Sequence, residues 1–210
     1  MHPGLTITAA ELVPETFECF RYFHPGFQDV LEKDSVRLVS NDGRNHLLLF
    51  SKKYDVISVD PAPPIWSAGT VNLYTKEFFQ LCKDNLTPQG VMCLWFPGGR
   101  PEDERAIFRT FREVFPEITV WKGPHNWGFY CVGTTEKMPW IDFKQNVENA
   151  FKQPAIVQDL GEYDTSCLTP DQVYRLQVDR TQVDDFSSRG ALITDDYPFT
   201  EFFLWRQLLK

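Results

Sequence analysis

The chain has 210 residues, 42% of them hydrophobic, which is enough for one domain with a substantial core plus a C-terminal extension. No apolar run is long enough for a membrane span or a signal peptide, so a cytoplasmic chain is expected. A formal net charge of −8 without a basic stripe excludes nucleic acid as the expected partner and suits a small cationic ligand.

The five cysteines, Cys19, Cys82, Cys93, Cys131 and Cys167, are odd in number and lack C-x-x-C spacing, the pattern of reduced, mostly buried thiols. The histidines, His2, His24, His46 and His125, are scattered without ligand spacing, and no metal is expected.

Leu5 to Ala10 reads as a short strand closed by Glu11, and Pro14 fits the first turn of a helix through Phe17 and Phe20. A carboxylate at the end of a strand and just before a helix suits a ribose, because it accepts from both hydroxyls at once. After a break at Pro25-Gly26, Val36 to Val39 is the next strand, left through the turn Asn41-Asp42-Gly43-Arg44, and His46 to Ser51 is a short helix.

The run Asp55 to Val59 is apolar and β-branched, the mark of a strand buried on both faces of a parallel sheet. Asp60 therefore stands at a strand's carboxyl end, outside which open α/β sheets bind their ligands. The Pro-rich loop from Pro61 to Gly69 is expected to lie over Asp60 like a lid. The alternative role for Asp60 is to cap that loop or the next helix.

Leu73 to Leu86 carries a helical stripe of Leu73, Phe78, Leu81, Cys82 and Leu86 that stops before Pro88 and Gly90. Val91 to Phe96 is a buried strand, and Glu102 to Phe115 a helix. Ile118 to Trp121 and Trp127 to Val132 read as an antiparallel pair at the sheet edge, around Pro124-His125-Asn126. Strand–helix alternation to about residue 135 predicts an α/β fold with a mostly parallel sheet. From Trp140 on strands vanish. Ile141 to Phe151, Thr169 to Val178 and Phe199 to Leu209 are expected to be helices, with Thr169 as N-cap and Pro170 at the first helical position. The expected division is thus residues 1–135 as the α/β domain and 136–210 as a helical extension packed on it.

The segments AAELVPETFE, VRLVSNDGRNHL, YDVISVDPAPP, LYTKEFFQLCKDNLTPQGVMCLW and ITDDYPFTE occur in this order and cover most of the chain. Together they resemble the spermidine/spermine synthase family of aminopropyltransferases, especially the soluble domain that follows a transporter-like membrane region in some bacterial members. The resemblance implies a Rossmann-like, class I methyltransferase-type sheet. It also implies a transferase of polyamine biosynthesis, which moves the aminopropyl group of decarboxylated S-adenosylmethionine to a polyamine amine. By the same resemblance Glu11 is the ribose-binding acid, Asp42 with Gly43 the adenine-side turn, and Asp60 the acid that takes a proton from the attacking amine. Tyr74 either hydrogen-bonds near that amine or simply packs at a helix start. Asp195 or Asp196 either reaches the crevice or caps the terminal helix. His125 and Asn126 fall where the family contacts its polyamine, and Trp66, Trp95 and Trp127 either wall a groove for a methylene chain or belong to the core.

Two departures accompany the resemblance. The family's lid has a second Asp three residues after the first, where this chain has Pro63, so a pocket for a polycation has lost one negative partner. The Gly-rich turn of the family's first strand has no counterpart before Glu11, where Gly4 is the only glycine. A sheet lacking that strand is expected, in a chain that is either a piece of a longer protein or a diverged member. Three functions stay open on these grounds. One is aminopropyl transfer, retained, weak or lost. Another is a non-catalytic synthase-like domain acting through association, a homo-oligomer included. The third is an S-adenosylmethionine-dependent methyltransferase, which the same three acids would serve.

Overall fold

The computed structural model describes residues 4–23, 29–61, 64–123, 125, 127–136, 140–163 and 168–209. The chain divides into two units, Met1–Lys52 and Lys53–Lys210. The division falls before the third strand, not at the predicted boundary near residue 135.

In the first unit β1 (Ile7–Glu11) and β2 (Val36–Ser40) pair in parallel, from Ile7 opposite Val36 to Glu11 opposite Ser40. A parallel pair needs a crossover, and it contains α1 (Glu15–Phe23), with Glu15 and Glu18 in the first turn where the helix dipole favours negative charge. α2 (Gly43–Leu49) opens three residues earlier than the periodicity predicts. Asp42 accepts from the Asn45 N–H at 2.9 Å, and this cap turns Gly43 and Arg44 into the first helical residues.

The second unit holds a four-stranded sheet of β3 (Tyr54–Val59), β4 (Leu86–Phe96), β5 (Ile118–Lys122) and β6 (Phe129–Thr134), in the order β3-β4-β6-β5. β3 and β4 are parallel, whereas β6 runs antiparallel to both β4 and β5. The sheet is therefore mixed. The predicted β5–β6 hairpin is real, but it folds back so that β6, not β5, lies against β4. β4 also starts earlier than expected. Its register against β3 jumps from Tyr54 opposite Leu86 to Val56 opposite Val91, and this irregularity absorbs Pro88 and Gly90 within the strand. On its other side β3 has no strand partner among the described residues.

A 3₁₀ turn over Val71–Leu73 precedes α3 (Lys76–Asp84), whose Thr75 cap accepts from the Phe78 N–H at 3.3 Å. α4 (Pro101–Val114) has its proline at the first helical position. Beyond β6 come α5 (Trp140–Phe151), α6 (Pro154–Tyr163), α7 (Pro170–Leu176), α8 (Arg180–Ser188) and α9 (Phe203–Leu208). Thr169 caps α7 as expected, by accepting from the Gln172 N–H. α6 and α8 escaped the periodicity reading because α6 is apolar without a clean stripe and α8 has few apolar residues. The helical region packs on the sheet unit. Val178 donates its N–H to the Val120 carbonyl at 2.8 Å, and Phe186 meets Phe108 with ring centroids 5.7 Å apart. Among the described residues no helix is long and apolar enough to cross a membrane.

Aromatic packing holds this unit together. Phe79 meets Phe111 edge-on at 5.1 Å, and Phe111 stacks on Phe115 at 5.0 Å. All three are fully buried, and each such pair adds about 0.5–1.5 kcal/mol beyond area burial. Gly133 of β6 lies flat against this stack, for a Cβ there would stand 2.6 Å from Phe115 Cγ and 2.9 Å from Phe111 Cε1. Gly133→Ala is therefore expected to destabilise the chain by about 1–3 kcal/mol. Urea unfolding checks this, the midpoint falling at constant slope; an unchanged midpoint would mean that the rings yield freely.

Candidate active site

The candidate site of the second unit lies at the carboxyl end of the β3–β4 pair. Asp60 follows Val59, the last residue of β3, and keeps access to solvent. The protein around it nevertheless pushes its carboxyl above the ordinary carboxylate value, because partial burial disfavours the charged form. Tyr74 ends the 3₁₀ turn and is completely buried. Its hydroxyl has no hydrogen-bond partner among the described residues. Burial first, and then the Asp60 charge, push this phenol well above its ordinary value, so it remains protonated. An unpartnered buried hydroxyl costs about 1–3 kcal/mol, and a group left so in a native protein calls for a ligand or a water.

Cys93 is the third member of this cluster and was not foreseen as one. The β3–β4 register sets it opposite Ser58, two residues before Asp60, and burial followed by the Asp60 charge raises its thiol. A parallel alignment of the two strands would have found it, but the sequence offered no register. Glu104 was also missed. Its Oε1 accepts from the Gly99 N–H at 3.0 Å, shaping the loop that leaves β4, and burial raises its carboxyl.

The loop after Asp60 is ordered by its own hydrogen bonds. The Thr70 hydroxyl donates to the Pro64 carbonyl at 3.0 Å, and the Val71 N–H donates to the Ser67 carbonyl at 3.0 Å. Trp66 is 37% exposed, with its ring 4.6 Å from that of Phe203. Trp95 is buried and meets the exposed Trp127 edge-on at 5.2 Å. His125 is exposed, with a positive φ of 55°. Asn126 and Pro63 lie outside the described residues. Asp195 and Asp196 are exposed in the turn between Thr194 and Tyr197 and do not cap α9, whose N-cap is Phe202. That turn leans on the start of α3, where Glu77 Oε2 accepts from the Asp195 N–H at 3.0 Å.

In the first unit Glu11 and Asp42 share one end of the β1–β2 pair, where the Asn41 N–H donates to the Glu11 carbonyl at 3.1 Å. Each carboxylate makes a local bond as well. Glu11 Oε1 accepts from the Val13 N–H at 2.9 Å, and Asp42 caps α2. A Cβ at Gly43 would meet nothing within 4 Å, so the backbone there is open to approach. A cavity of about 290 Å³ lies elsewhere, lined by Ile118, Val132, Phe143 and Val183 among others. It contains none of the predicted site residues.

Residues 6–118 match the family model described as spermine/spermidine synthase domain. The chain is 22% identical over 192 residues to polyamine aminopropyltransferase 2 of Pseudomonas aeruginosa, across 86% of this chain and 53% of that one. It is 29% identical over 121 residues to polyamine aminopropyltransferase of Bacillus cereus, across 55% of this chain and 42% of the relative. Spermidine synthase from Thermotoga maritima has a TM-score of 0.61 at 20% identity, covering 87% of this chain and 60% of that one. Human methyltransferase-like protein 13, in complex with SAH, has a TM-score of 0.60 at 21% identity, covering 71% and 72%. The fold is thus α/β of the class I methyltransferase kind. The chain belongs to the spermine/spermidine synthase family, and it spans about half the length of the curated relatives it matches.

The raised Asp60 carboxyl has a consequence for stability. Between its unfolded and folded values the folded chain binds more protons, so this group's contribution falls as pH rises through that window. Asp60→Asn is therefore expected to raise the melting temperature at pH ~7, with the gain shrinking as pH drops below ~4. Melting curves at several pH values decide this; a pH-independent difference would contradict it.

Proposed function

We propose that the chain transfers the aminopropyl group of decarboxylated S-adenosylmethionine to a polyamine amine, with Asp60 and Tyr74 at the acceptor. One observation carries this reading. A buried phenol without a hydrogen-bond partner among the described residues sits near a solvent-accessible carboxylate whose proton affinity is raised.

The chemistry needs both groups. A protonated amine has no lone pair and cannot attack. Asp60 attracts the ammonium, and its raised proton affinity lets it accept a proton, which frees the lone pair. The nitrogen then bonds to the methylene carbon next to the sulfonium, and the carbon–sulfur bond breaks with its electron pair passing to sulfur. The products are the extended amine and a neutral thioether, methylthioadenosine. The Tyr74 oxygen accepts from a remaining N–H of the deprotonated amine and holds its lone pair in line for attack, which is worth far more than unaided encounter.

For the nucleoside end of the substrate, family membership favours Glu11 for the ribose and the open turn at Asp42 and Gly43 for the adenine. Asp195 and Asp196, with Trp66 and His125, are the proposed contacts for the rest of the polyamine. The two aspartates would supply the negative charge that the family's second lid acid provides and Pro63 does not.

Incubation with labelled S-adenosylmethionine and its decarboxylated form, side by side with putrescine and spermidine, tests this. Aminopropyl transfer is expected, with kcat/KM lowered about 10²–10⁴-fold in Asp60→Asn and about 10- to 100-fold in Tyr74→Phe. Methyl transfer, or transfer indifferent to Asp60, would overturn it, and no transfer at all would favour a non-catalytic role through association.

A further inference from the structure

The segment from Ile193 to Arg206 grips both ends of the stretch that carries Tyr74. At the near end Trp66 packs on Phe203 of α9, and the Arg100 guanidinium lies over the same ring at 5.3 Å. At the far end, directly after Tyr74 and Thr75, the Lys76 N–H donates to the Ile193 carbonyl at 2.9 Å. The neighbouring Glu77 holds the Asp195 N–H.

The segment is itself tied to α4 at two places. The Ile193 N–H donates to Thr110 Oγ1 at 2.9 Å, and Ile193 is fully buried. Arg206 Nη2 reaches Asp103 Oδ1 at 2.5 Å, Asp103 being 1% exposed, while the guanidinium carbon lies 3.7 Å from the centre of the Phe199 ring. A buried carboxylate stripped of its cation is strongly destabilising, so α9 stays down as long as Arg206 is present. The hydrogen bonds among Pro64, Ser67, Thr70 and Val71 shape the loop from within and do not tie it to the C-terminal segment.

We propose that residues 193–206 act as a brace fixing residues 64–76 over the carboxyl end of β3, with Arg206 as a positioning residue for Tyr74. Loss of the Arg206–Asp103 pair frees α9, Phe203 leaves Trp66, and the near end of the loop loses that ring contact with the C-terminal segment. The catalytic consequence rests on the reading of Asp60 and Tyr74 given above, whereas the brace itself does not.

Amide hydrogen exchange on the full chain tests it, with Arg206→Gln, Arg206→Lys and Phe203→Ala beside the wild type. Phe203 is only half-buried, so its truncation leaves a folded protein even where Arg206→Gln does not. Exchange in peptides covering 65–76 is expected to rise about fivefold or more in Phe203→Ala and Arg206→Gln. Arg206→Lys, which keeps the charge, falls between, and peptides of β4 stay unchanged. In the transfer assay KM for the amine rises more than kcat falls. Faster exchange in 193–209 with none in 65–76 would overturn the brace. Absence of transfer activity with the expected exchange pattern would sink only the functional reading.

Discussion

A carboxylate set just beyond a parallel strand that buries only Ile57, with a sealed phenol beside it, is the constraint on which the candidate site depends. Asp60 holds more tightly to a proton than an ordinary carboxyl because it is partly buried, and burial, aided by the Asp60 charge, keeps the Tyr74 phenol protonated. Neither arrangement favours the fold. An ionised group resists burial and a hydroxyl resists isolation, so both are strains that the rest of the second unit holds in place.

What holds them is packing. β4 supplies the fully buried Met92, Leu94 and Phe96, and the phenylalanines of α3 and α4 close over one another behind the sheet. Thr75 caps α3 directly after Tyr74, so the phenol's position follows from where that helix can begin. The stretch 64–73 before Tyr74 is thereby internally bonded and runs into the capped start of α3. A site on such a loop is held by the scaffold more than by its own sequence.

The sequence reading was strongest where one residue type has one physical use. The β-branched run before Asp60, the Thr169 cap and the helix from Glu102 to Phe115 are all legible, and so is the family, whereas the Thr75 cap is not. It was weaker wherever the answer depends on pairing. Nothing in the one-dimensional pattern set the irregular β3–β4 register, so Cys93 went unnoticed beside Asp60. The hairpin was foreseen, but not its insertion of β6 between β4 and β5. Asp42 reads as a turn residue, although its spacing to the Asn45 N–H makes it a cap. The acidic pair Asp195 and Asp196 was weighed between crevice and cap. It does not cap α9 but lies in a turn against α3, a tertiary contact that no local signal announces.

The central claim, that Asp60 and Tyr74 act as one unit on a bound amine, is tested most directly by calorimetric titration of spermidine at low ionic strength. The wild type, Asp60→Asn, Tyr74→Phe and the double variant form the cycle. The account predicts that each single variant binds more weakly and that the double variant loses little beyond Asp60→Asn, because the phenol has no role once the cation is gone. Strictly additive losses, or spermidine affinity unchanged by Asp60→Asn, would contradict it.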